Sequence, residues 1–304
     1  MAPRRPGIHH RAEELAAVLP PLLVAADRVA ATVSQGVHGR RRVGQGETFW
    51  QFRRYQPGDS AQAIDWRQSA KSQPVYVRET EWEAAQSVWL WRDASASMDY
   101  RSTPSLPDKA ERGDLLLLAL VSLLVRGGEH VALLGSGKAP ATGRAALSRL
   151  AAEIEEGRSS ERHGGARTDG LPAFELLPRH ARVVLIGDFL APLGDVKSAI
   201  EPFANHGVRG HLVQVLDPAE ESFPFAGRIR FEGPEQEGET VIGRAETVRR
   251  DYRLAIARHR SGLEALARST DWTFTIHHTD RRPETALLAT YLALAQPRPR
   301  AHGN

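Results

Sequence analysis

The chain has 304 residues, 41% of them apolar, enough to bury one α/β core with an accessory layer. It contains no cysteine, which excludes disulfides and thiolate metal sites. Its 40 basic and 37 acidic residues leave a formal charge of +3, too even a balance for a general nucleic-acid binder.

In chain order, the basic excess comes first. Arg4, Arg5, Arg11, Arg40, Arg41 and Arg42 crowd the N-terminal region, and residues 1–35 read as a basic arm with a helix. A solvated tail is the expectation for the arm; an anionic membrane surface or an acidic partner is the functional alternative. Residues 15–33 are the most apolar early stretch, but Pro20 and Pro21 interrupt them and Asp27 and Arg28 charge them. They fail the run of about 20 apolar residues that a membrane span needs, and no small-residue cleavage site makes them a signal peptide. The expected location is the cytoplasm, with a peripheral place at the inner face of the membrane as the variant.

Residues 87–91 read as a buried strand. Lys109–Arg126 carries the run from Leu115 to Val125 and is too continuously apolar for a surface helix, so it should lie against a sheet and end at Gly127-Gly128. A strand is expected at 131–134, helices at 145–156 and 194–204, and strands at 181–187 and 208–215. Residues 228–231 and 239–242, separated by Gly233-Pro234 and Gly238, predict an inserted hairpin. A long charged helix over Ala245–Ser269, a strand at 272–276 and a helix at 282–294 complete the pattern, and the tail from 296 to 304 reads as loose. The alternation predicts an α/β fold with a doubly wound, mostly parallel sheet over residues 85–295.

Asp93-Ala94-Ser95-Ala96-Ser97 follows the first strand of that plan. Alternate residues of an extended segment point the same way, so one carboxylate and two hydroxyls can converge on one ion as the strand opens into a loop. Hard oxygen ligands of this kind favour Mg²⁺ or Mn²⁺. The competing reading is local: the serines cap the next helix and Asp93 supports the turn. Two more segments bear on the choice. A glycine-rich loop from Gly164 to Gly170, placed before a helical pattern, offers Thr168, and the strand at 181–187 delivers Asp188 at its carboxyl end. Taken singly, Thr168 reads as a helix cap and Asp188 as a cap or turn residue; in an open parallel sheet, loops after neighbouring strands share one crevice.

Together, in this order, these segments resemble the metal-ion-dependent adhesion site of a von Willebrand factor A domain. That resemblance implies a Rossmann-type, von Willebrand factor A-like fold in which Asp93, Ser95 and Ser97 hold the ion, Thr168 joins in one state, and Asp188 acts directly or through water. It also implies a coordination position left for a partner's carboxylate. Upstream, Gly46-Glu47-Thr48-Phe49, Arg54-Tyr55-Gln56-Pro57-Gly58-Asp59, Ile64-Asp65-Trp66-Arg67 and Ser69-Ala70-Lys71 resemble the signature of a bacterial family catalogued as domain of unknown function number fifty-eight. Ser60 stands where that family has a second acid, Gln62 or Ala63 where it usually has an arginine, and Lys71 where it has another. Residues 36–84 are expected to form this signature segment packed on the core, with Tyr55, Trp66 and Trp82 as packing residues.

The family resemblance implies a MoxR-type AAA+ ATPase as partner, with other A-type or membrane-linked proteins besides, and an adaptor role in chaperone-like maturation or stress response. The expected function is therefore a non-enzymatic, metal-dependent interaction module. A metal-dependent phosphoester hydrolase is the alternative from another class, though no second acidic ligand set or positioned base supports it; nucleic-acid binding through the basic arm is a further one. Gly135-Ser136-Gly137-Lys138 lacks the spacing of a phosphate loop and reads as a turn. His277 and His278, adjacent on a strand, face opposite ways and read as structural.

Overall fold

The computed structural model describes residues 42–44, 48–55, 64–70, 74–82, 87–162, 170–178, 181–233 and 238–295. These divide into two compact units, one spanning 42–82 and the other 87–294. The basic arm, the stretch at 15–33, the segment 163–169 that contains Thr168, and the tail beyond 295 lie outside the described residues.

The smaller unit is a three-stranded antiparallel sheet in the order β1-β3-β2, with β1 at Arg42–Gly44, β2 at Thr48–Arg54 and β3 at Tyr76–Trp82. A one-turn helix, α1 (Trp66–Ser69), sits between β2 and β3. Ser69 fastens it: its hydroxyl donates to Asp65 O at 2.7 Å and accepts from Tyr76 N at 2.8 Å. The expectation that Tyr55 and Trp66 are packing residues is corrected here. Trp66 is 67% exposed, because a four-residue helix has no second turn with which to bury an aromatic face, and Tyr55, the residue after β2, is 40% exposed.

The larger unit is built on five strands: β4 (Ser87–Arg92), β5 (His130–Leu133), β6 (Arg182–Gly187), β7 (Arg209–Leu216) and β10 (Thr273–His278). Their order is β10-β7-β6-β4-β5 and every pairing is parallel. The antiparallel contribution at the β5 edge is a single bridge between Val131 and Ala141. The crossovers are helical, α2 (Lys109–Arg126), α3 (Gly143–Arg162), α4 (Leu193–Asn205) and α6 (Ala245–Ser269), and a further helix, α7 (Pro283–Ala295), follows β10. A one-turn helix, α5 (Pro218–Ser222), follows β7, and the hairpin β8 (Ile229–Glu232) and β9 (Glu239–Ile242) is inserted before α6. The fold is the expected α/β class with a doubly wound parallel sheet.

Strand alternation fixes the layers. Val88 and Leu90 of β4 face one way and join α2, α3 and α7 in one core, where Leu117, Leu118, Leu150 and Leu287 are at most 1% exposed. Trp89 and Trp91 face the other way and join Val196, Ile200 and Phe203 of α4 and Leu263 and Leu266 of α6. Both faces of the sheet are covered, which is why β6 reads as an unbroken apolar run. Fully burying one such leucine contributes roughly 1.5–3 kcal/mol, so the two cores dominate the stability of the unit.

Two local expectations are modified. No helix follows the glycine-rich loop: residues 171–178 are irregular, bounded by Pro172 and Pro178, neither of which can donate a backbone hydrogen bond. Gly135 to Lys138 is a turn, with positive φ at Gly135 and Gly137 and a hydrogen bond from Ser136 N to Leu133 O.

Candidate metal centre

In the strand order β10-β7-β6-β4-β5, the direction in which strands are added reverses between β4 and β6, since β5 lies outward on one side and β7 on the other. This is the topological switch point, where the loops after the two strands part and leave a crevice at their carboxyl ends. Asp93 follows β4 and Asp188 follows β6, so both carboxylates arise at that crevice.

Asp93 is 2% exposed and extends the ladder, its N–H donating to Ile186 O at 2.8 Å. Its Oδ1 accepts from Ser95 N at 2.8 Å, an Asx turn that swings the chain out of the sheet. Its Oδ2 is buried with no hydrogen-bond partner among the described residues. Ser95 Oγ and Ser97 Oγ are 2.9 Å apart, and Ser97 Oγ donates to Asp188 Oδ2 at 2.7 Å. The 3-10 turn Ala96–Asp99 starts on Ser95, whose side chain makes no cap bond, so its hydroxyl is turned to Ser97 instead of to the helix.

Asp188 is held from several sides. Its Oδ1 accepts from Leu190 N at 3.2 Å, and its carbonyl oxygen accepts from the buried Gln214 Nε2 at 2.8 Å. The next residue, Phe189, has φ of 49°, a left-handed conformation rare for a bulky side chain and typical of strain kept at a functional site. Phe189 is 1% exposed against Trp91, and its carbonyl oxygen accepts from His259 Nε2 at 2.6 Å.

Sequence reasoning missed three participants. Lys109, the first residue of α2, is fully buried and its ammonium donates to Asp188 Oδ2 at 2.8 Å and to Glu220 Oε1 at 2.6 Å. Glu220 belongs to the capping box of α5, its Oε2 accepting from Asp217 N at 2.8 Å. That box was readable from Asp217-Pro218-Ala219-Glu220; its meeting with Lys109, 111 positions away, was not. The third is Gly187: a Cβ there would stand 2.8 Å from Asp93 Cβ and 3.1 Å from its Oδ2, so only glycine leaves room for the carboxylate.

The electrostatics are uneven. Burial, reinforced by the nearby Asp188 charge, pushes the Asp93 carboxyl up to about 7, against lowering by the Ser95 hydrogen bonds and Lys109. Burial also works on Asp188, but the Lys109 ammonium and the hydrogen bonds from Lys109, Ser97 and Leu190 outweigh it and hold Asp188 below the usual carboxylate range. Burial raises Glu220, with Lys109 opposing.

Two observations fit a small hard cation. Asp93 Oδ2 is buried with no partner among the described residues, and Ser95, Ser97 and Asp188 bring further oxygens to the same crevice, all hard donors. Asp93, Ser95, Ser97 and Asp188 would hold the ion, which supplies a positive charge with an open coordination position. Among the described residues no three His, Asp or Glu side chains gather as a metal cage, so the hydroxyls are essential to such a site. Thr168 lies outside the described residues, but Gly170 is placed nearby, where an added Cβ would be 3.5 Å from Ser95 Oγ. Outward from the carboxylates, a cavity of about 870 Å³ is lined by Ser97, Asp188, Glu220, Phe223, Phe231 and Tyr252, among others.

The fold and this crevice define a doubly wound α/β domain with a carboxylate and hydroxyl cluster at its switch point. The chain belongs to the family described as Protein of unknown function DUF58, whose model matches residues 51–262. It is similar to the uncharacterized protein Rv1480 of Mycobacterium tuberculosis, 27% identical over 278 residues that cover 88% of this chain and 86% of the relative. Among solved structures it is similar to BatB, a conserved hypothetical protein from Bacteroides thetaiotaomicron, with 15% identity, a TM-score of 0.40, and 69% of this chain and 97% of that one covered. The SpRpn10 VWA domain gives 9% identity and a TM-score of 0.34, covering 68% and 95%.

Proposed function

We propose that this chain is a non-enzymatic protein-interaction module whose binding face is completed by Mg²⁺ or Mn²⁺ at Asp93, Ser95, Ser97 and Asp188, with Thr168 contributing in the bound state. The observation that carries this reading is the gathering of Asp93, Ser95, Ser97 and Asp188 at the switch-point crevice, where Asp93 Oδ2 is buried with no hydrogen-bond partner among the described residues. A buried carboxylate oxygen without a partner costs on the order of 1–3 kcal/mol, more when charged, and a bound cation removes that cost. A cation there leaves a coordination position for an oxygen ligand from another molecule, and a carboxylate is the strongest such ligand a protein partner offers.

The partner we infer, from the family resemblance, is a MoxR-type AAA+ ATPase, with other A-type proteins in the same assembly. The module acts as its adaptor in maturation or stress response. Among the described residues no helix is long and apolar enough to cross a membrane, and we place the module on the cytoplasmic side. Isothermal calorimetry tests the foundation: the wild-type chain binds Mg²⁺ or Mn²⁺ with one-site stoichiometry, and a folded Asp93→Ala chain does not. Equal cation affinity in the two would remove the site.

A further inference from the structure

Lys109 is 0% exposed, yet it carries an ammonium at the start of α2. Both facts disfavour the charge: burial strips its hydration, and the helix N-terminus is the positive end of the dipole. What holds it there is a pair of carboxylates, Asp188 at 2.8 Å and Glu220 at 2.6 Å. With Asp93 close by, the carboxylates at the inner end of the crevice outnumber the one ammonium.

The ammonium and an incoming ion want the same atom. Asp188 Oδ2 already accepts from Lys109 and from Ser97, and an ion seated among Asp93, Ser97 and Asp188 draws on those lone pairs and lies close to a fixed positive charge. We propose that Lys109 is a tethered counter-cation that competes with the divalent ion for Asp188 and relays the state of the ion site to Glu220 and α5. This rests on the metal-dependent reading above. With the ion in place, Lys109 keeps Glu220 as its carboxylate.

Glu220 is the pivot of a connected path. Its other oxygen closes the capping box of α5 on Asp217, and Asp217 Oδ2 accepts from Ser102 N at 2.8 Å in the loop that leads to Lys109. The helix ends on Phe223, held in the left-handed conformation at φ of 46°. Phe223 packs on Phe231 of the hairpin at a centroid distance of 5.7 Å and on Tyr252 of α6 at 4.6 Å, and all three line the cavity. A change in how tightly Lys109 pulls on Glu220 therefore acts on the turn that sets this aromatic wall. Lys109 is a positioning residue for both the ion and the wall.

The test uses the full chain in two arms. In the first, Mn²⁺ affinity is measured by calorimetry for wild type and Lys109→Met, which keeps the length of the side chain and removes the charge. The expected result is at least tenfold tighter binding by Lys109→Met. In the second, the Lys109 Nζ nitrogen resonance of the wild-type chain is followed by NMR as Mg²⁺ is added. The expected result is a saturable shift of that resonance, with matching shifts at Glu220 and Phe223 amides. A folded Lys109→Met chain with unchanged or weaker affinity overturns the proposal and leaves the metal site standing, as does a Lys109 signal that stays fixed while Mg²⁺ saturates. No cation binding by either chain overturns the metal reading itself, and this inference with it. If Lys109→Met does not fold, the wild-type resonance decides.

Discussion

Gly187 and Asp93 meet across two parallel strands, with no space between the glycine Cα and the aspartate side chain for another carbon. A Cβ at 187 would be 2.8 Å from Asp93 Cβ, closer than side-chain carbons approach. Gly187→Ala should therefore displace the Asp93 carboxylate and cost about 1–3 kcal/mol through overpacking. Gly210 gives the control, because a Cβ there would strike the Trp272 ring at 2.1 Å, in the core and away from the crevice. Both variants should lower the unfolding temperature, but only Gly187→Ala should weaken Mn²⁺ binding, by tenfold or more in calorimetry. Equal cation affinity in the two would show that Asp93 does not need its present position.

Asp93→Ala is expected to lose Mg²⁺ and Mn²⁺ binding while remaining folded, since Asp93 joins the sheet through its backbone N–H and its Oδ2 has no partner among the described residues. In EDTA the variant should be no less stable than wild type within about 1 kcal/mol, because losing the hydrogen bond from Ser95 N is offset by removing a buried carboxylate oxygen with no partner among the described residues. Denaturant unfolding with and without Mg²⁺ checks both halves: added cation should stabilise wild type and leave Asp93→Ala unmoved.

His211 sets a pH dependence independent of the crevice. It is the third residue of β7 and 2% exposed, its Nδ1 2.6 Å from Thr273 Oγ1 and its Nε2 3.3 Å from Thr290 Oγ1. Burial lowers its pKa from 6.5 to about 4. The unfolded chain therefore takes up a proton at this residue below pH 6.5 while the folded chain resists until about pH 4. The contribution is fully present above pH 6.5 and is lost as pH falls. Between pH 7 and pH 4.5 wild type should lose about 2–3 kcal/mol more than His211→Gln, judged from urea midpoints. Equal losses would place the titration elsewhere.

As an interaction module, the purified chain with Mg²⁺ or Mn²⁺ should not hydrolyse p-nitrophenyl phosphate or its diester above the buffer rate. A rate that disappears in Asp188→Ala would instead give the same oxygen cluster a hydrolytic role.

The limits of sequence reading follow from which signals are local. Apolar period separated strands from helices in the larger unit, so the helix over Ala245–Ser269 was placed to the residue and β10 within two positions. Asp93, Ser95, Ser97 and Asp188 were legible because each stands at a strand end in a recognisable order, and the fold brings those four together. Lys109 was hidden at the head of an apolar helix, and nothing in its neighbourhood announces a partner 79 residues on at Asp188. The misjudged Trp66 shows the reverse case: amphipathic aromatics usually pack, but this one heads a helix too short to give it a buried face. Thr168 remains a sequence expectation, since it lies outside the described residues.

The central claim is that the ion at the switch point is part of the partner surface, and affinity for the cognate MoxR-type ATPase measured by interferometry in Mg²⁺ and in EDTA tests it most directly. The account predicts at least a several-fold loss in EDTA, corresponding to ~1–3 kcal/mol of coupling, a similar loss in Ser97→Ala with Mg²⁺ present, and a much smaller effect from removing the basic arm before Gly36. Affinity that is indifferent to EDTA, or that disappears only with the arm, would contradict it.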